Sequence, residues 1–287
     1  MGKVCTRLRD MTRVVSAMIL VASILPLAAC GMGDGGDAAS PAPTATATAS
    51  TSPSPQPSST GVPGNNTADN RNWGDSGCDS TKSVRVIIAR GTGESVDDGL
   101  LNPVASAIAD AFPGKVQTTS LDYPATFDLN SVNDGVTALV AMLGGGAQQC
   151  PAQKTVLLGF SQGAAVVGDA LSDPQYRLNT NGTRDRIPET ASRNVLAVVM
   201  YGDPRFNGKA SYNAGGFDPA KNGMLAPRDV TALSGYARDE RIVDYCATND
   251  VICQQGGVEE GHRSYFSDGT REQGVDFVTS RIHASGL

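Results

Sequence analysis

The residues able to do chemistry in this chain converge on one serine and two histidines. Ser161 stands in Gly159-Phe160-Ser161-Gln162-Gly163, after the apolar run Val156-Leu157-Leu158 and before Ala164-Ala165-Val166-Val167. With 33 glycines in 287 residues, a Gly-x-Ser-x-Gly match is weak by itself. Its flanks give it meaning: a strand, a turn whose glycines permit a crowded backbone, and a helix would lift the serine hydroxyl above a sheet edge. A hydroxyl attacks only with a base beside it. His283 lies near the C-terminal end, where an anchored geometry is hard to guarantee, so His262, read as part of a loop in Glu260-Gly261-His262-Arg263-Ser264-Tyr265, is the expected base. Asp250 precedes it inside Cys246-Ala247-Thr248-Asn249-Asp250-Val251-Ile252-Cys253, where a disulfide would clamp its loop. Asp244 and Asp268 lack that clamp, and Asp203 in Gly202-Asp203-Pro204 is the more serious rival. In this reading Ser161 attacks an acyl carbonyl, His262 relays the proton to the leaving alcohol and Asp250 fixes the tautomer. The backbone N–H of Gln162, with Thr92 at the end of the first strand, is the expected oxyanion site.

These residues need a scaffold, and the chain offers alternating strands and helices. Val84 to Ala89, Val116 to Leu121, Thr155 to Leu158, Val195 to Tyr201 and Arg241 to Tyr245 read as strands, the last of them closing the series. Leu101 to Phe112, Asn133 to Leu143, Gln162 to Leu171 and Arg271 to Ile282 read as helices, the second closed by Gly144-Gly145-Gly146. Residues 205–237, rich in Gly, Asn and Pro, read as irregular. Continuous apolar strands between helices predict an α/β fold with a largely parallel sheet covered on both faces.

The first quarter of the chain reads differently. Lys3, Arg7, Arg9 and Arg13 precede the apolar run Val14 to Ala29, a secretory signal for which Met11 is an equally good start. It ends Leu27-Ala28-Ala29-Cys30-Gly31, which resembles a lipoprotein signal whose cysteine becomes the lipidated first residue. Residues 30–70, dominated by Gly, Ala, Ser, Thr and Pro, cannot repay the entropy of ordering and read as a tether, leaving 71–287 as one catalytic domain. Cys78, Cys150, Cys246 and Cys253 remain as an even set for an oxidising compartment. The short spacing favours Cys246–Cys253, and Cys78–Cys150 follows by exclusion. The expected location is the cell surface, anchored by lipid to the outer face of the plasma membrane. A formal charge of −6 argues against nucleic acid.

Taken together, Ala89-Arg90-Gly91-Thr92-Gly93-Glu94, Cys150-Pro151, Gly159-Phe160-Ser161-Gln162-Gly163-Ala164-Ala165, Cys246…Asp250…Cys253 and Gly261-His262 resemble the cutinase family of serine esterases. The resemblance implies an α/β-hydrolase of three layers around a mainly parallel sheet and no large lid. It further implies Ser161–Asp250–His262 as triad, Thr92 with Gln162 as oxyanion pair, and the same two disulfides. Gly93 departs from the fungal pattern, where a second hydroxyl residue is usual. The Gly202-Asp203-Pro204-Arg205-Phe206 segment looks actinobacterial. Glu259, Glu260 and Arg263 beside His262 argue against a greasy rim for insoluble cutin. The expectation is a monomeric esterase for short- to medium-chain acyl esters, small or polymeric, working without cofactor or metal. Val96 stands where a nucleotide-binding Gly-x-Gly-x-x-Gly would need its third glycine, and the two histidines show no metal-ligand spacing. Polysaccharide deacetylase, lipase or thioesterase, and a surface binding protein with an inactive site are the competing readings.

Overall fold

A computed structural model describes residues 77–128, 130–178 and 182–287. The expected signal, Cys30 and the 30–70 tether lie outside the described residues. Six strands, β1 (Val84–Ala89), β2 (Val116–Ser120), β3 (Lys154–Phe160), β4 (Val195–Tyr201), β5 (Asn213–Ala214) and β6 (Ile242–Tyr245), form one sheet in the order β2-β1-β3-β4-β6-β5. Every pairing is parallel. The α-helices among the described residues are α1 (Asn102–Ala111), α2 (Asn130–Gln149), α3 (Gln162–Leu171), α4 (Glu189–Asn194), α5 (Ser234–Arg238), α6 (Glu259–Arg263) and α7 (Thr270–Ala284).

Strand alternation sorts the core into two layers. Ile87, Leu157, Val198 and Met200 pack with Leu139 and Val166 of α2 and α3. Val86, Leu158, Val199 and Tyr201 pack with Ile108 and Val278 of α1 and α7. Burial on both faces explains why β3 and β4 read as unbroken apolar runs rather than alternating ones. This is the expected three-layer α/β-hydrolase sandwich, and it gathers the carboxyl ends of β1, β3, β4 and β6 along one edge, where doubly covered sheets bind ligands.

The glycines around Ser161 set how closely the layers approach. A Cβ on Gly163 would lie 1.9 Å from the Ala89 carbonyl oxygen, and one on Gly159 would lie 2.8 Å from Ala164 Cα. The first turn of α3 therefore rests directly on the end of β1.

Three expectations need correction. The helix predicted to close at Gly144-Gly145-Gly146 runs on as α2 to Gln149. Helical glycines cost about 1 kcal/mol each relative to alanine, but the far end is held by the Cys150 N–H bond to the Gly146 carbonyl and by Cys78–Cys150. The region expected to be irregular carries β5, and this short strand forms one sheet edge beside β6, the last strand in chain order as expected. Two residues are too few to leave a periodic signal. His262 lies in α6 rather than a loop.

Both expected disulfides are present, Cys78–Cys150 and Cys246–Cys253, closing loops of 72 and 7 residues. In the loop-entropy picture they contribute about 4.4 and about 2.5 kcal/mol.

A methyl at Gly163 must displace backbone, so Gly163→Ala is expected to lower stability by about 3 kcal/mol or more. Gly235 in α5 has nothing within 4 Å of its missing Cβ, and Gly235→Ala is expected to raise stability by about 0.5–1 kcal/mol. Urea midpoints of the two variants check the contrast.

Candidate active site

Ser161 is the N-cap of α3 with φ 54° and ψ −120°, one of three non-glycine residues with positive φ among those described. Such a conformation costs on the order of 1–3 kcal/mol and persists only where neighbours enforce it. Here the Ser161 N–H donates to the Tyr201 carbonyl at 2.9 Å, and its own carbonyl accepts from Ala164. The elbow is thus fixed between the end of β4 and the start of α3.

The other side of the site rises from β6. Asp250 is fully buried in the loop closed by Cys246–Cys253. Its Oδ1 accepts from the N–H of Ile252 at 2.6 Å and of Cys253 at 3.3 Å, and its Oδ2 accepts from the Tyr265 hydroxyl. His262 Nδ1 lies 3.0 Å from both carboxylate oxygens. Burial pushes the Asp250 carboxyl up, but the hydrogen bonds and charge of His262, with those of Tyr265 and Ile252, outweigh it and hold the group below its ordinary value. The imidazole stacks on Phe160, the residue before the serine, with ring centroids 4.8 Å apart and planes at 23°.

Thr92, Ser161, Gln162 and His262 line one cleft of about 340 Å³. Arg90 frames the Thr92 turn by donating to the carbonyls of Glu94, Leu121 and Tyr123. Glu94 accepts the N–H groups of Gly91 at 2.7 Å and Leu100 at 3.1 Å. Gly93 has φ +74°, and its N–H bonds to Ala125 at 2.8 Å. A glycine suits that backbone better than a hydroxyl residue would. As the first residue of α3, Gln162 has a backbone N–H without an intrahelical acceptor. Its side chain donates to the Thr126 carbonyl at 2.6 Å and accepts from Ser131 at 3.1 Å. The loop before α2 is thereby tied to the elbow.

Of the rival acids, Asp203 and Asp268 are engaged elsewhere. Asp203 pairs with Arg228 at 2.5 Å, within a buried cluster that also joins Arg205 and Arg228 to Asp169 of α3. Asp268 is exposed and accepts the Thr270 N–H. Asp244 is buried, and its carboxyl is pushed well above the usual range by desolvation, then by the charge of Asp203, with Asp250 adding to the effect and Arg228 opposing it. His283 packs on Phe112, centroids 4.9 Å apart.

Two residues that the sequence reading left without a role stand out. Gly202, at φ +63°, passes so close to the pair that a Cβ would lie 2.7 Å from His262 Cε1 and 2.8 Å from Asp250 Oδ2. Tyr265 grips Asp250 from one turn beyond His262. The expectation about the rim also needs correction, because Phe127 is 93% exposed and Met224 55% exposed, and both line the cleft with Leu225 and Ile252. Of the charged neighbours of His262 along the chain, Glu259 and Arg263 line this cleft and Glu260 lines another surface.

The family profile for cutinase matches residues 80–282. The chain belongs to the cutinase family. A cutinase of Kineococcus radiotolerans is 30% identical over 71% of this chain and 63% of its own length, so this chain spans less than two thirds of that relative. Acetylxylan esterase 2 of Talaromyces purpureogenus is 28% identical over 71% of this chain and 88% of its own. The solved structure of an iodinated acetyl xylan esterase complex superposes with a TM-score of 0.61 at 28% identity, covering 70% of this chain and 99% of that one. Membership of the cutinase family implies serine-hydrolase chemistry on acyl esters.

Gly202→Ala is expected to lower kcat on a nitrophenyl ester by at least about a hundredfold with little change in KM, since it displaces the His262–Asp250 pair rather than the cleft wall. Asp244 and Asp250 have opposite pH signatures. The raised carboxyl of Asp244 contributes stability that is complete below its ordinary value and lost as pH rises through the folded one. The lowered carboxyl of Asp250 contributes stability present above its ordinary value and lost as pH falls through the folded one. While pH lies between the unfolded and folded values of Asp244, each unit should cost up to about 1.4 kcal/mol. Asp244→Asn is expected to flatten that decline with rising pH, read from urea midpoints at a series of pH values above the ordinary carboxylate range.

Proposed function

We propose that this protein is a serine carboxylic-ester hydrolase for short- to medium-chain acyl esters, with Ser161 as nucleophile, His262 as base and Asp250 as its orienting acid. The single observation that carries the reading is the buried Asp250–His262 hydrogen bond, with the imidazole stacked on Phe160 at the lip of the strained Ser161 elbow. In the first step Ser161 Oγ bonds to the acyl carbon while its proton passes to His262 Nε2. The N–H groups of Thr92 and Gln162 receive the oxyanion. Collapse breaks the bond to the alcohol oxygen, which takes the proton from Nε2 and leaves an acyl-serine. Water then attacks with His262 again as base, releasing the acid and restoring the hydroxyl. No cofactor takes part.

The apolar rim of Phe127, Met224, Leu225 and Ile252 supports an acyl chain longer than acetyl, and extends the reading to polyesters, cutin among them. A second reading, removal of acetyl groups from polysaccharide, is favoured by the likeness to acetylxylan esterases and by Glu94, Glu259 and Arg263, which also line the cleft. The proposal includes a monomer held at the outer face of the plasma membrane through lipid on Cys30, with residues 30–70 as tether. Its support is the sequence of that segment, and the mass of the mature N-terminus tests it. Among the described residues no helix is long and apolar enough to cross a membrane.

A fluorophosphonate probe is expected to label the protein at Ser161 and to fail with Ser161→Ala; absence of label on the unaltered protein would leave a binding protein with an inactive site. Across a nitrophenyl ester series, activity is expected to persist to octanoate, and Phe127→Ser to lower kcat/KM for octanoate about tenfold more than for acetate. A sharp optimum at acetate would transfer the assignment to the deacetylase.

A further inference from the structure

Tyr265 is fully buried, and besides Cys253 Sγ its hydroxyl has two partners. It accepts the Ala247 N–H at 3.0 Å and donates to Asp250 Oδ2. Because Ala247 can only donate, the hydroxyl proton is directed at the carboxylate. The two oxygens of Asp250 are served unequally. Oδ1 has two backbone donors, which belong to the loop itself. Oδ2 has the phenol of a residue one turn beyond His262, and His262 Nδ1 faces both oxygens.

The ring cannot swing away. It packs against Tyr201 at 5.8 Å and Phe266 at 6.3 Å between centroids, and its hydroxyl lies 3.4 Å from Cys253 Sγ of the clamp. Burial, then the charge of Asp250 and the bond to it, push the phenol far above its ordinary value, so it remains a donor wherever the protein is folded. His262 and Tyr265 lie on consecutive turns, α6 and the 3₁₀ segment Ser264–Phe266. One short helical unit therefore delivers both the imidazole to one side of the carboxylate and the phenol to the other.

We infer that Tyr265 is a positioning residue of the catalytic relay, which holds the Asp250 carboxylate in register with His262 and sets how much of its charge the imidazole feels. The inference rests on the serine-hydrolase reading above. A carboxylate that shares its charge with a phenol is a weaker partner for imidazolium than one that does not. Losing the phenol should therefore both misplace the carboxylate and make imidazolium easier to form, which moves the acidic limb of the rate profile to higher pH. The other charged groups near the pair are Asp244, which feels the charge of Asp250, with Asp203 and Arg228 acting on Asp244, and Glu94, Glu259 and Arg263 around the cleft. Tyr265→Phe alters none of them.

The test is the pH dependence of kcat/KM for nitrophenyl butyrate, normalised by fluorophosphonate titration so that only reactive sites count. Tyr265→Phe is expected to lower kcat per titrated site roughly ten- to a hundredfold, the scale of one hydrogen bond to a charged group, with KM little changed and the acidic limb shifted upward. Site-specific replacement of Tyr265 by 3-fluorotyrosine, a stronger donor of nearly the same shape, should shift the limb downward, and serves if the phenylalanine variant folds poorly. Unchanged kcat per site with an unmoved limb in the variants would overturn the inference and leave Tyr265 a core residue. Failure of the unaltered protein to label at Ser161 would instead overturn the hydrolase reading, so the two failures are distinguishable.

Discussion

A negative charge with no exposure to water is the constraint around which the site is organised. The Asp250 carboxylate would neutralise in a dry interior unless donors surrounded it, and four converge: two backbone N–H groups, an imidazole and a phenol. They come from two segments, the clamped loop and the helical unit after it, and each segment is held in its own way. The Cys246–Cys253 bridge closes the loop that supplies the backbone donors. Missing Cβ atoms at Gly257 and Gly261, each within 2.3 Å of the Asn249 carbonyl oxygen, let the next segment pass over that loop and bring α6 against it. Gly202 clears the space that the pair occupies. Several glycines and one disulfide therefore serve a single charge.

The serine side is fixed by a different force. Where Gly163 lays α3 on the end of β1, the far end of the same helix is held by Asp169, which accepts from Arg205 and Arg228 and from the Leu178 N–H. Gly168 makes room for Arg228, since a Cβ there would lie 2.3 Å from its guanidinium carbon. Buried ion pairs of this kind add little net stability compared with an apolar core, but removing one partner strands the other charge at a cost of about 3–5 kcal/mol. Their value here is geometric. They tie α3 to the long segment after β4, which also carries Pro204, Met224 and Leu225 into the cleft. The segment has almost no regular structure, yet Arg205 and Arg228 fix it to the helix that bears the elbow.

Much of this was legible in the residues. Continuous apolar strands, the two glycines beside Ser161 and the clamp around Asp250 each impose a local geometry, and the fold has them where expected. What escaped the reading depends on distance through space. Phe127 and Met224 are remote in sequence from His262, whereas Glu260 is two positions from it and lines another surface. Judging the rim from chain neighbours gave a polar opening where the fold makes a mixed one. Tyr265 was in view, but nothing in its spacing says that a phenol will meet a carboxylate. Gly202 marked a turn, and only the structure shows what a side chain there would strike. The helix through Gly144-Gly145-Gly146 was misread because a local penalty was weighed without the covalent anchor at Cys150.

The two halves of the site meet through an aromatic contact rather than through the backbone. Phe160 belongs to β3 and is followed directly by the elbow, while its ring stacks on His262 and meets Phe266 edge-on at 5.2 Å. A Cβ on Gly91 would lie 2.9 Å from the same ring, so the turn bearing Thr92 also rests on it. One side chain thus touches the segment of the proposed oxyanion donor, the base, and the helical unit that includes Tyr265. Because those contacts are dispersive and direction-tolerant, they set spacing while the hydrogen bonds around Asp250 set orientation. Rigid hydrogen bonding on the acid side and close packing on the serine side leave the imidazole held in plane by Asp250 and at a fixed height by Phe160. This is the placement needed for its remaining nitrogen to face the cleft.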